Sequence, residues 1–124
     1  MVICTYRARF IVIFLDNLDT KKYFVDFDRE GNSNYAFTLV LRNADDSLFS
    51  KICGALDENK VEYRRGMSGG GNMLRQPFVK NREGDLTEKY PNIDFIHKYS
   101  MYLGNFPDLE QWKIIRLCEI LNVL

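Results

Sequence analysis

A run of three glycines, Gly69 to Gly71, is the strongest local constraint in this sequence. Each glycine costs roughly 0.5–1 kcal/mol in the interior of a helix or strand, so no regular element runs through the triplet and the stretch is a loop. It is not a bland linker. From Arg64 to Pro77 it carries Arg64, Arg65 and Arg75 together with Ser68, Asn72 and Gln76. Arginine forks match phosphate oxygens in pairs, and bare glycine lets backbone N–H groups approach a ligand closely. The plain alternative is a solvated, arginine-flanked hairpin loop.

Upstream of the loop, residues 7–18 read two ways. Phe10, Ile13, Phe14, Asn17 and Leu18 fall on helical spacing, whereas Phe10 to Leu15 is also a β-branched run that suits a buried strand. Tyr23 to Phe27 alternates weakly before the turn composition Gly31 to Asn34. Tyr35 to Leu41 reads as a strand buried on both faces. Asp45 or Asp46 can cap a helix whose Leu48, Phe49, Ile52, Cys53 and Leu56 make one apolar stripe, with Asn59 as its stop. Val61 to Arg65 is a short strand that leads into the glycines.

Downstream, the pattern loosens after Pro77, and Asn81 to Asp85 reads as a surface turn. Asn92 can cap a short helix from Ile93 to Tyr99, with Ile93, Ile96 and His97 inward. Ser100 to Leu103 is a strand broken by Gly104-Asn105. Pro107-Asp108 then opens a final helix with Leu109, Trp112, Ile115, Cys118 and Leu121 at core spacing. These elements predict an α+β fold: a small sheet of three to four strands, antiparallel or mixed, with helices mainly on one face.

At 124 residues the chain is one domain. Its 17 basic and 17 acidic side chains balance, so no net field recruits nucleic acid or an anionic membrane. The apolar run near the N-terminus is too short to span a bilayer and lacks a small-residue cleavage site after it. Three cysteines form no CxxC pair and read as reduced thiols, which places the chain in the cytoplasm.

The scan for chemistry finds a binding loop and no catalytic machinery. His97 is the sole histidine, so any triad would need it, and a lone histidine on a short amphipathic helix is more simply structural. No cysteine or histidine has a partner at metal-ligand spacing. Asp45-Asp46 and Asp57-Glu58 lie at helix ends, where they suit capping and solvation rather than acid/base work. Gly66 and Gly71 have phosphate-loop spacing, but Asn72 and Met73 stand where Lys and Ser/Thr are required.

Two segments together carry a resemblance. Glu62 to Phe78, containing Arg75-Gln76-Pro77, and His97 to Leu109, containing Gly104-Asn105-Phe106-Pro107-Asp108-Leu109, resemble the C-terminal part of the DegT/DnrJ/EryC1/StrS family. Those enzymes depend on pyridoxal phosphate (PLP), have fold type I and act on nucleotide-linked keto sugars. The branch most similar contains lipopolysaccharide-biosynthesis aminotransferases and CDP-6-deoxyhexose 3-dehydrases. Asn34 to Phe37 matches the strand that begins the small domain's sheet, and Arg7 to Tyr23 resembles the helix leading out of the large domain, which favours helix over strand there.

The resemblance implies a lead-in helix over residues 1–20, a small α+β domain over 21–124, and a cofactor-binding large domain that 124 residues cannot hold. It implies that Asn72, Arg75 and Gln76, with Ser68, line the substrate side of an active-site cleft, and that His97 and Asn105 join them from the second segment. On this basis the chain holds no PLP and no catalytic residue of its own. Its expected ligand is a nucleotide-linked sugar, with no nucleic acid, metal or membrane, and it is expected to form a homodimer through apolar surface on the Arg7–Leu18 helix. A free-standing binding module that kept the fold, and an unrelated α+β domain with a decorative glycine loop, are the other readings.

Overall fold

The structure, a computed structural model, describes residues 2–66 and 71–124. Ser68, Gly69 and Gly70 lie outside the described residues. Along the chain run α1 (Val2–Asn17), β1 (Ala36–Val40), α2 (Asp46–Glu58), β2 (Tyr63–Arg64), α3 (Pro77–Glu83), α4 (Pro91–Tyr99), β3 (Ser100–Gly104) and α5 (Gln111–Asn122). The strands form one antiparallel sheet in the order β1-β3-β2, so the last strand in sequence is central. The fold is α+β with a three-stranded sheet, as expected.

Alternation along the strands sets the layers. Phe37 faces Leu103 and Leu39 faces Met101 across the β1–β3 pair, and all four are buried. They meet Phe10, Phe14, Leu15 and Leu18 of the first helix region, Ile52 and Leu56 of α2, and Ile114, Leu117 and Leu121 of α5. Phe14 stacks on Phe37 with ring centroids 4.8 Å apart. The helical reading of residues 7–18 therefore prevails because this surface closes the core. The same packing buries Phe10, Phe14, Leu15 and Leu18, while Tyr6 and Val12 of the same helix remain exposed. Further large apolar side chains lie exposed at Met73, Phe78, Tyr90, Ile93 and Ile96.

The other face of the sheet is open in its middle. Thr38 is exposed opposite half-buried Tyr102, and Tyr35 is 63% exposed. Residues 35–41 are thus buried on one face only along most of their length. Cover is provided at the Val40–Ser100 end, where Ser100 Oγ donates to the Ile96 carbonyl of α4 at 2.6 Å. Tyr23 to Phe27 forms no strand beyond an isolated bridge from Tyr23 to Leu41.

Helix ends follow local chemistry. Asp45 accepts from Leu48 N–H at 2.8 Å and caps α2. At its C-terminus, Lys60 N–H donates to Asp57 O and Val61 N–H to Leu56 O, the paired pattern that closes a helix through a left-handed residue. That residue is Lys60, with φ +56°. Helix α3 has Pro77 in its first turn and ends at Gly84 with φ +78°; it buries none of its residues, so it left no periodicity to read. The expected turn from Asn81 begins inside it. Helix α4 starts at Pro91 with Tyr90 in the capping position, not at Asn92, and Ile93 and Ile96 face outward while Phe95 and Tyr99 pack together. Helix α5 starts at Gln111, three residues beyond Asp108, because Phe106 to Leu109 closes a turn of its own. Its buried stripe is Ile114, Leu117, Cys118 and Leu121, which leaves Trp112 and Ile115 off the core.

Candidate functional site

After the glycines the chain is fastened to α4. Asn72 Oδ1 accepts from Leu74 N–H at 2.9 Å and caps the short 3-10 turn Met73–Arg75. Asn72 N–H donates to His97 Nδ1 at 3.0 Å, and its Nδ2 approaches Asp94 Oδ1 at 3.4 Å. The two side-chain bonds, with the backbone tie beside them, explain why this polar residue is fully buried. On the other side of the glycines, Gly66 has φ +59°, a left-handed turn that favours glycine, and it lies beside the His97 ring.

Asp94 is the hub. It receives Arg75 Nε and Nη2, both at 2.7 Å on Oδ1, and Lys98 Nζ at 3.2 Å on Oδ2. The Arg75 hydrogen bonds in particular hold the Asp94 carboxyl below the usual carboxylate range, so it is ionised. Because His97 Nδ1 accepts from a backbone N–H, its proton sits on Nε2. Burial first, and then the positive charge of Arg75, lower the His97 pKa from the ordinary imidazole value. The cluster therefore presents Arg75 and Lys98 against a single carboxylate and a neutral imidazole, a net positive surface beside an N–H donor. Such a surface can bind and orient an anion; it contains no nucleophile.

Of the six residues singled out in the sequence, Asn72, Arg75 and His97 thus come together, with Gln76 closing the 3-10 turn and preceding α3. Ser68 lies outside the described residues. Asn105 stands apart. It follows β3, whereas α4 precedes it, and five residues of strand separate the two ends by roughly 16 Å. Asp94 and Lys98, which hold Arg75 in place, were not singled out by sequence; their i, i+4 spacing with His97 between them was the available signal.

Two other groups of residues bear on chemistry. Burial pushes the Cys118 thiol up to about 12, so it is inert, and Cys53 accepts a hydrogen bond from Arg65 Nη1 at 3.3 Å. No described cluster of His, Cys, Asp and Glu could hold a metal ion, and no helix among the described residues is long and apolar enough to cross a membrane. A Schiff-base lysine for PLP needs a desolvated amine. None of the eight lysines is buried; Lys22 is half-buried, and its Nζ donates to the Asn122 carbonyl at 2.5 Å and pairs with Asp19. The residues present do not fit that cofactor.

No family model matches the chain, and no curated protein matches it in sequence. Solved structures do match in fold. A GDP-4-keto-6-deoxymannose-3-dehydratase with a trapped PLP-glutamate geminal diamine superposes with TM-score 0.70 and 19% identity, over 96% of this chain and 31% of that one. An E. coli GDP-4-keto-6-deoxy-D-mannose-3-dehydratase with bound hydrated PLP gives TM-score 0.68 and 17% identity, over 95% of this chain and 30% of that one. The chain thus spans under a third of the length of these structures, and identity this low establishes a shared fold alone.

Proposed function

We propose that this chain acts as the C-terminal small domain of a PLP-dependent enzyme on a nucleotide-linked keto sugar, either a 3-dehydratase or an aminotransferase. The observation that carries the reading is the mismatch in coverage. Nearly the whole chain is matched by about a third of a PLP-dependent GDP-sugar dehydratase, as expected of one domain of such an enzyme. In this reading residues 21–124 form the domain and residues 1–20 the helix entering it. The cofactor and the bond-breaking groups are supplied from outside these residues, in keeping with the lack of an enclosed lysine. A cytoplasmic setting and a homodimer follow from the same reading.

The residues here would bind and orient. Arg75, held by ionised Asp94, meets a phosphate oxygen, while Gln76 and Ser68 offer hydrogen bonds to sugar hydroxyls. His97 and Asn72 keep the loop against α4 so that Arg75 stays aimed. A second reading, a free-standing binding module with this fold, is favoured by one observation: Asn72 and Arg75 are already engaged inside the chain.

Incubation with PLP followed by borohydride reduction and peptide mapping tests where the chemistry is supplied. The expected result is no single lysine of this chain converted stoichiometrically to pyridoxyl-lysine. Stoichiometric labelling of one lysine would overturn the reading.

A further inference from the structure

Most elements of the chain bury a face in the core, but one stretch does not. The 3-10 turn Met73–Arg75, α3 and α4 bury none of their residues. The stretch is nevertheless rich in large apolar side chains. Met73 is 60% and Phe78 65% exposed, and Tyr90, Ile93 and Ile96 are exposed with them. Tyr90, Ile93 and Ile96 recur every three residues, so they form one stripe along α4 from its N-terminal cap. The 3-10 turn is fastened beside that helix by the Asn72–His97 and Arg75–Asp94 bonds. Helix α3 follows the turn directly, with Val79 and Lys80 N–H both donating to the Gln76 carbonyl. Apolar side chains exposed singly need no explanation, but a group held together in this way marks a contact surface.

Area and charge say what covers it. Large side chains span roughly 200 Å² each, so five of them about half exposed present about 500 Å². A stable homodimer takes about 800 Å² from each partner, of which roughly 500 Å² is apolar. The stretch therefore carries the apolar half-interface that such a dimer needs. Around it the charges are of both signs: Lys80 pairs with Asp85 at 2.9 Å, Arg82 with Glu83 at 3.1 Å and Lys98 with Asp94 at 3.2 Å. In a two-fold interface a patch faces itself, so it has to offer cations and anions together. A strongly acidic or basic partner finds no complementary field here, whereas a copy of this chain does. The 17 basic and 17 acidic side chains of the whole chain also balance, so two copies meet without net repulsion.

We propose that Met73, Phe78, Tyr90, Ile93 and Ile96 form the face on which a second copy of this chain docks. The pairing is two-fold, with the α4 stripe at its centre and the charges of α3 and α4 at its rim. Asp94 follows Ile93 on α4 and holds Arg75, so the second copy borders the Arg75 cluster. The proposal rests on the enzyme reading for the homodimer and on burial for its place, and it uses no cofactor chemistry.

Sedimentation equilibrium of the whole chain from micromolar to millimolar concentration is expected to show monomer and dimer in exchange. Ile93→Asp with Ile96→Asp replaces two exposed side chains and is expected to weaken the dimer at least about tenfold, with an unchanged circular dichroism spectrum. Phe78→Ser, on the neighbouring helix, is expected to weaken it as well, which keeps the test decisive if the double variant fails to fold. Val12→Asp, on the exposed side of α1, is expected to leave the dimer intact. A monomer at every concentration would overturn the proposal. So would a dimer indifferent to the folded variants of α3 and α4, or one dissociated by Val12→Asp. None of these outcomes alters whether PLP and borohydride label a lysine, so failure here is distinguishable from failure of the enzyme reading.

Discussion

The backbone N–H of Asn72 donates to His97 Nδ1 at 3.0 Å, which ties the end of the glycine loop to helix α4. This bond exists only while Nδ1 is unprotonated. The loop's attachment is therefore linked to the charge of the one histidine in the chain.

That link sets a pH dependence. The groups facing His97 are Arg75, Asp94, Lys98 and Arg65, and burial is the largest influence on it, lowering its pKa in the folded protein. The unfolded chain, with an imidazole near 6.5, then binds more protons than the folded one as pH falls. The stabilisation from neutral His97 is present above about 6.5 and is lost as pH drops from there through the folded value. Urea melts of the native protein are expected to show lower stability at mildly acidic pH, and His97→Phe is expected to remove that component. An unchanged pH profile in the variant would refute the link.

Asn72→Ala removes the cap of the 3-10 turn and one contact to Asp94. The expected cost is about 1–2 kcal/mol in chemical denaturation. Amide exchange should accelerate at Leu74 to Gln76 well before it does in the sheet.

Lys60 occupies a left-handed conformation that costs a residue with a Cβ roughly 1 kcal/mol. Lys60→Gly is therefore expected to raise stability by about 0.5–1 kcal/mol, measured as an increased urea midpoint with an unchanged slope. A loss of stability would show that the Lys60 side chain contributes more than the strain removes.

Tyr23 is fully buried, and its hydroxyl donates to the Leu121 carbonyl at 2.6 Å, joining the start of the β1 side to the end of α5. Burial raises its pKa well above the ordinary phenol value. Tyr23→Phe leaves that carbonyl unpaired and is expected to cost about 1–2 kcal/mol in thermal or urea melts.

Much of the fold was legible because its core elements are amphipathic. The α2 stripe with its Asp45 cap, the β1 and β3 strands, and the helix carrying Phe10 and Phe14 all bury one coherent face. What was not legible has a physical reason in each case. Helix α3 buries nothing, so neither period appears in it. The start and phase of α5 differ from the sequence reading because Pro107-Asp108 suits a helix start equally well as the turn it forms, and Trp112 looks like a core residue while standing exposed. The side chains in the loop announced polar chemistry. Their internal partners on α4, above all Asp94, are set by tertiary contact and leave only an i, i+4 trace in sequence.

The central claim is that the loop held on α4 forms a wall for a nucleotide-linked sugar. It is tested most directly by titrating the isotope-labelled protein with GDP-mannose and mapping amide shifts. The account predicts saturable shifts at Asn72 to Gln76 and at His97, weakened about tenfold by Arg75→Ala while α5 shifts stay unchanged. Shifts that avoid those residues, or an affinity indifferent to Arg75→Ala, would contradict it.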